Sequence, residues 1–568
     1  MPYVQSGPET YDAIVVGSGI SGGWAAKELT EKGFNTLLLE RGPNVRHRQD
    51  YPTEWQRPWE ATFRGQGDRR AMWDERYMQM QAGPVNEYNA HFFVNDRESP
   101  YTFDEDKPFL WIRGYQVGGR SLTWGRQCYR WSDLDFEANA RDGIAVDWPI
   151  RYDDIAPWYD YVEGFVGISG RKEGLPHLPD GNFLPPMEMN CVEEQVRARI
   201  EEHFAGRTMT IGRVANLTQA HNGRTSCQYR NICSRGCSYS AYFSSQSATL
   251  PAARATGNLT LRPNSIVHNV ICDAETNRAT GVRVIDRETR ESLEFYGRLI
   301  FLCASTLGST QILLNSTSRA FPDGLANSSG ELGHNLMDHH FKVGARAEMP
   351  GFEDTYYYGK RPNGIYIPRF RNLNGADRGV DFLRGYGYQG GASRSGWSRG
   401  ISRSGFGEDL KEALREPGPW SMNLTGFGEM LPRHENYVEL DPEVTDAWGL
   451  PVLRIHCTIG SNEEAMRQDM MDAAAEMLDA VGGRNVTPFM DRYAPGEGIH
   501  EMGTARMGRD PKTSVLNRWN QAHDVPNLFV TDGACMTSAA CQNPSITYMA
   551  LTARAVDYAA QEVKRGNL

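Results

Sequence analysis

Long apolar runs are missing from this sequence. No stretch approaches the roughly 18 consecutive apolar residues that a membrane-spanning helix needs, so no bilayer span is expected. Basic charge is also scarce: 60 lysines and arginines face 71 aspartates and glutamates, for a formal net charge of −11. Nucleic acid and anionic membranes demand clustered cations to neutralise phosphate, so neither is expected as a partner. The start, Met1-Pro2-Tyr3-Val4-Gln5-Ser6-Gly7-Pro8, has neither the basic segment nor the apolar core of a secretion signal, which taken alone points to the cytoplasm. Ten cysteines in 568 residues are too few for a disulfide scaffold. Internal repeats are absent too. What remains is the composition of a globular chain with 40% hydrophobic and 23% charged residues, long enough for two to four domains or for two woven from separate segments.

The first segment carries chemistry. Tyr11-Asp-Ala-Ile-Val-Val-Gly17 reads as a buried strand, Ser21 to Lys32 as a helix stopped by Gly33, and Thr36-Leu-Leu-Leu-Glu40 as a second strand. Between strand and helix stands Gly17-Ser-Gly19-Ile-Ser-Gly22. In a βαβ unit these glycines permit a tight turn, close approach to a pyrophosphate, and close helix–strand packing, while the helix N-terminus faces the phosphates. Glu40, 23 residues after Gly17, can accept hydrogen bonds from ribose hydroxyls, and Arg41 is counted with it on the cofactor side. A dinucleotide is therefore expected; the segment does not choose between FAD and NAD.

Three further segments choose. Gly114-Tyr-Gln-Val-Gly118-Gly119-Arg-Ser121-Leu-Thr123-Trp124-Gly125, Ala304-Ser-Thr-Leu-Gly-Ser-Thr-Gln-Ile-Leu-Leu314, and the C-terminal Asp532-Gly533 with Asn543-Pro544-Ser545 together resemble the motifs of the glucose-methanol-choline (GMC) oxidoreductases, which bind FAD. The resemblance implies an α/β fold: a Rossmann-like FAD-binding domain interleaved with a substrate domain built on a mostly antiparallel sheet flanked by helices. It implies residues 8–45, 109–135, 200–340 and 495–568 in the FAD-binding domain, 46–108 as a lid or excursion, and 136–199 with 341–494 in the substrate domain. Some members attach FAD through a histidine where this sequence has Thr123, so non-covalent FAD is expected. The resemblance makes His500, in Ile499-His-Glu-Met-Gly-Thr-Ala-Arg-Met-Gly508, the catalytic base, and Asn543 the residue that orients the substrate hydroxyl. Removing a hydride from a carbinol needs a nearby group of near-neutral pKa to take the hydroxyl proton, and histidine is the usual one. His339 and His340 are expected to be structural. The Gly-, Ser- and Arg-rich stretch Gly385 to Gly407 reads as a mobile loop.

Cys227, Cys233 and Cys237 crowd into a polar, loop-like stretch. Three thiolates can hold the three corners of a [3Fe-4S] cluster, and the spacing is similar to the cluster-binding run of bacterial sugar dehydrogenases. Zinc with His221 as a fourth ligand, or a disulfide with one free thiol, stay open. Tyr129-Arg-Trp-Ser-Asp-Leu-Asp-Phe136 and Asp147-Trp-Pro-Ile-Arg-Tyr152 look most like glucoside 3-dehydrogenases among them. That likeness implies oxidation of a pyranose secondary hydroxyl, with electrons leaving through the cluster. It also implies a small subunit that carries the export signal, a cytochrome c-type acceptor, and the periplasm as destination. The alternatives are an oxidase that uses dioxygen, a gluconate or glucose dehydrogenase of other regiochemistry, and a non-redox lyase or isomerase.

Overall fold

The computed structural model describes residues 4–568 except 64, 84, 357–358, 374–378, 397–398, 401–403 and 416. The apolar run Ala13 to Val16 is buried and central, as expected of a strand covered on both faces. Its strand, Val4–Val16, pairs in parallel with Thr36–Leu39 on one side and Ser292–Leu302 on the other. It starts seven residues earlier than the apolar pattern suggests, with a register shift between Gln5 and Thr10. Leu259–Arg262 and Leu528–Val530 complete a parallel core, whose spatial order is third, second, first, fourth, fifth in the chain. The N-terminal half of Ser292–Leu302 also pairs antiparallel with Arg278–Asp286, and that strand with Ser265–Asp273. Helix Ile20–Glu31 crosses over between the first two strands and packs on the C-terminal helix Ser545–Arg565.

A second sheet is antiparallel, in the order Arg484–Met490, Val343–Glu348, Trp420–Glu429, Tyr386–Arg394, Ile365–Ile367, Thr210–Ile211. Helix Ser461–Ala480 lays Met466, Met470 and Met477 on it. Tyr386–Arg394 corrects the loop expected at Gly385–Gly407, of which 397–398 and 401–403 lie outside the described residues. Glycine-rich composition masks a strand here because the backbones touch: a Cβ on Gly390 would run into the Asn423 carbonyl, while Tyr386 and Tyr388 alternate into the core. Thr210–Ile211 joins this sheet although it lies in a segment expected in the FAD-binding domain.

The excursion 46–108 has structure of its own. Asp68 caps helix Arg69–Ala82 by accepting from the amides of Arg70 and Ala71. The buried Asp96 carboxylate takes hydrogen bonds from Met78 N, Gln79 and Arg113, and Thr102–Phe103 pairs with Pro451–His456. Among the described residues no helix is long and apolar enough to cross a membrane.

Candidate active site

The glycine turn opens onto a cleft with about 1660 Å³ of unfilled space, part of it continuous with solvent. A Cβ on Gly17 would meet the Cys303 carbonyl oxygen at 2.5 Å, one on Gly22 would run into the Gly17 carbonyl, and one on Gly19 would point into open space. Turn, helix packing and phosphate approach thus fall to three separate glycines. Helix Ile20–Glu31 has no acidic residue in its first turn and no side-chain cap, so its N-terminal amides are left for an anion. Glu40 is buried beside them. Its carboxylate accepts from Ser18 N at 3.0 Å, Ser18 Oγ at 2.5 Å and Gly42 N at 3.1 Å, and burial raises its pKa against those bonds. Arg41 pairs with Asp446 at 2.7 Å and lies over Tyr115.

Farther along, the lining takes in Gly119, Ser121, Trp124, Asp532, Gly533, Asn543 and Ser545. Four expected cofactor residues, Gly22, Gly118, Thr123 and Pro544, are not part of the lining: Gly118 turns the chain at φ 94°, and Pro544 is the residue just before the C-terminal helix. Asp532 accepts from Ser309 Oγ at 2.5 Å and Ala534 N at 3.0 Å, while burial pushes its pKa up to about 6. Among the described residues, Arg120 Nε, Arg126 Nε, Glu501 Oε1 and Tyr548 OH are buried polar atoms without a protein partner, and all four residues line this cleft. Orphaned donors and acceptors around a cleft that an anion-ready helix N-terminus also lines fit a dinucleotide that carries a polar ring system.

In the same cleft His500 Nε2 lies 3.4 Å from Asn543 Nδ2, and His500 Nδ1 lies 2.9 Å from His339 Nδ1. The loop that presents His500 is pinned by the buried Asp338 carboxylate, which accepts from the amides of Gly496, Gly498 and His500 at 2.8, 2.9 and 3.0 Å. Burial first, then the charges of His339 and Arg120, push the His500 pKa well below its ordinary value. The imidazole is therefore neutral at neutral pH, with a ring lone pair free to accept a proton. Gln389, on a strand of the second sheet, donates to Asn543 Oδ1 at 2.8 Å.

Residues 11–341 and 432–552 match the N- and C-terminal domains described as GMC oxidoreductase. The chain belongs to the GMC oxidoreductases. It is 29% identical to 2-methyl-1,2-propanediol dehydrogenase of Mycolicibacterium austroafricanum over 96% of this chain and 94% of that protein. It is 25% identical to the fructose dehydrogenase large subunit of Gluconobacter japonicus, over 98% of each. Pyridoxine 4-oxidase from Mesorbium loti shares the fold, with a TM-score of 0.60 at 17% identity over 96% of this chain and 98% of that one. As a GMC oxidoreductase it uses FAD and acts on CH–OH groups.

Cys227, Cys233 and Cys237 are free, partly exposed thiols lining a second pocket. Burial, and next a neighbouring chain amide's opposing hydrogen bond, leave the Cys227 and Cys237 thiols above their ordinary pKa. The expected metal centre is not assembled: among the described residues no three His, Cys, Asp or Glu side chains are placed to hold one metal ion. His221 stands apart, its Nε2 2.8 Å from the Gly164 carbonyl, so the four-ligand zinc arrangement is corrected. The two pockets share a wall. Arg126 lines the flavin cleft and lies 5.6 Å over the ring of Tyr242, which lines the cysteine pocket.

Glu501, Tyr548, Arg120 and Gln389 escape the sequence reading, and His339 is read there only as structural. Glu501 and Arg120 sit inside recognised motifs and could have been found there as ionisable residues among apolar neighbours. Gln389 gives no such sign, since its role depends on strand pairing.

Proposed function

We propose that this enzyme is a sugar dehydrogenase that oxidises a secondary hydroxyl of a pyranose, the 3-hydroxyl of glucosides, to a ketone. The observation that carries the reading is the His500–Asn543 pair, two polar groups from distant segments that meet in the wall of the cofactor cleft. His500 Nε2 accepts the hydroxyl proton while Asn543 Nδ2 donates to the same oxygen, which fixes the carbinol for reaction. Bound FAD supplies the hydride acceptor. The likeness of residues 129–136 and 147–152 to glucoside 3-dehydrogenases supports the position. Anaerobic mixing with methyl glucosides tests it: the flavin bleaches, and NMR of the product shows a ketone at carbon 3. A flavin that stays yellow with every sugar overturns the reading, and a ketone elsewhere overturns the regiochemistry.

We extend the proposal to electron exit. Cys227, Cys233 and Cys237 would hold a [3Fe-4S] cluster, a group that supplies one-electron exchange with an external acceptor. The shared Arg126–Tyr242 wall supports it, as does the arrangement of three free thiols around one pocket, since a cluster spreads its ligands over several irons instead of gathering them on one ion. The fructose dehydrogenase relative is named a large subunit, and we take a small subunit with an export signal, a cytochrome c-type acceptor and a periplasmic site to go with it. Iron analysis with electron paramagnetic resonance of the oxidised protein decides the cluster. Without iron, and with fast reoxidation by dioxygen, the enzyme is an oxidase.

A further inference from the structure

The catalytic histidine does not stand alone. Behind it, His339 Nε2 lies 2.5 Å from the carbonyl oxygen of Ala540. A carbonyl only accepts, so His339 Nε2 carries a hydrogen. His339 is fully buried, and burial holds its pKa down to about 4, so at neutral pH it has one proton and its Nδ1 is a bare acceptor. His500 Nδ1, 2.9 Å away, must then be the donor. That leaves the lone pair of His500 on Nε2, the atom facing Asn543. The other end agrees: Gln389 Nε2 donates to Asn543 Oδ1 at 2.8 Å, turning the Asn543 amide hydrogens toward His500. Every bond from Gln389 to Ala540 therefore runs in one direction. The backbone is bent to reach this state. Ile499, just before His500, sits at φ 57°, and Ala540 at φ 72°, in the left-handed region that non-glycine residues avoid, a β-branched residue most of all.

We propose that His339 is the positioning residue for the catalytic base: by accepting from His500 Nδ1 it selects the tautomer with a free Nε2, and it stabilises the imidazolium formed when His500 gains a proton there. This rests on the reading of His500 as the base. In the step, the substrate O–H bond breaks and an Nε2–H bond forms on His500, while the carbinol C–H bond breaks as the C=O bond forms; bound FAD would take that hydride and be reduced by two electrons. The imidazolium that results keeps its Nδ1–H bond to His339, and the Ala540 carbonyl cannot take a proton, so the charge stays within the histidine pair. The ionisable groups around the pair are Arg120 and Glu501 on the cleft side, and Asp338, Tyr493 and His340 behind it.

The test is the anaerobic rate of flavin reduction against pH for holoenzymes carrying His339→Leu and His339→Gln, with His500→Ala as control. Leucine fills space and accepts nothing, so its rate falls on the order of a hundredfold and its acid limb moves to lower pH, because an imidazolium with an unpartnered N–H is harder to form. Glutamine can both accept from His500 and donate to Ala540, so it keeps the limb and stays within about tenfold of wild type. A leucine variant at wild-type rate, or leucine and glutamine variants equally slow with flavin bound, overturns the proposal as a matter of packing alone. Should His339→Leu fail to hold FAD, the wild type decides. In histidine-¹⁵N-labelled holoenzyme the His500 resonances, assigned by their loss in His500→Ala, show the Nδ1–H form, and the Nε2–H form would overturn it. Full reduction rate in His500→Ala overturns the base assignment instead, whatever His339 does.

Discussion

The flavin cleft and the cysteine pocket lie on either side of one wall, Arg126 against Tyr242, yet they are built in opposite ways. The cleft is assembled from segments hundreds of residues apart: the glycine turn, the Gly114–Gly125 motif, the His500 loop and the Asn543 turn. The two residues proposed to do the chemistry are each held by others, His500 at its ring by His339 and at its amide by Asp338, and Asn543 by Gln389. The cysteine pocket is nearly local. Its lining comes from residues 216–242, and Glu54 of the excursion ties it down by accepting from Arg230 and Ser238. Its thiols meet backbone amides instead of side chains, as where Tyr229 N donates to Cys227 Sγ at 3.4 Å. Reacting atoms demand fixed geometry before substrate arrives, whereas ligands of a metal group can be brought to order by the group itself.

The sharpest way to break this comparison is to cut each site and see whether the other notices. His500→Ala should slow flavin reduction by about 10³-fold, the usual loss for a general base, with flavin content unchanged. Replacing Cys227, Cys233 and Cys237 together by serine should leave the rate of sugar-driven bleaching within about threefold, since none of the three lines the cleft, while acceptor-linked turnover falls by about tenfold or more. Stopped-flow bleaching and steady-state dye reduction separate the two effects. Loss of bleaching in the serine variant would show that the shared wall is structural for the cleft.

A smaller effect concerns cofactor capture. Gly22→Ala puts a methyl group on the Gly17 carbonyl, so helix and turn must part, and FAD affinity should drop by about tenfold or more. Gly19→Ala meets nothing in the protein, so any loss of affinity it causes reports the approach of the cofactor alone. Fluorescence titration of the deflavinated protein measures both, and equal effects would remove the distinction between the two glycines.

How far the sequence could be read follows the same divide. The βαβ unit was legible because strand, glycine turn, helix and terminal acid are contiguous, and local pattern is what a sequence displays. His500 and Asn543 were legible through motif likeness alone, since nothing in 43 residues of spacing says that they meet. The strand Tyr386–Arg394 was not legible, because its glycines answer to a neighbour's backbone. Gln389 was hidden with it. His339 was read as structural, and its buried ring does pack, but its proximity to His500 is a fact of tertiary structure. The cysteines show the reverse case: their spacing suggests the ligands of one group, and among the described residues the fold does not place them to hold a single ion.

The finest test of a pre-built cleft lies in its unpartnered acid. Burial first, and then the Asp338 charge, raise the Glu501 pKa to about 8, whereas in the unfolded chain it titrates near 4.5. The folded state thus keeps a proton that the unfolded chain has released. Below about pH 4.5 both forms are protonated and the residue is neutral for stability. As pH rises from there through 8, folding loses stability, by an amount on the order of a few kcal/mol. Glu501→Gln has no proton to lose, so thermal unfolding should show it matching wild type near pH 4.5 and more stable at pH 8.5. If the gain is the same at both pH values, Glu501 is not titrating in the folded enzyme, and the carboxyl is partnered after all. Should the gain appear without flavin and vanish with it, the cofactor supplies the partner that the protein withholds, which is how a cleft shaped in advance for a polar ring should behave.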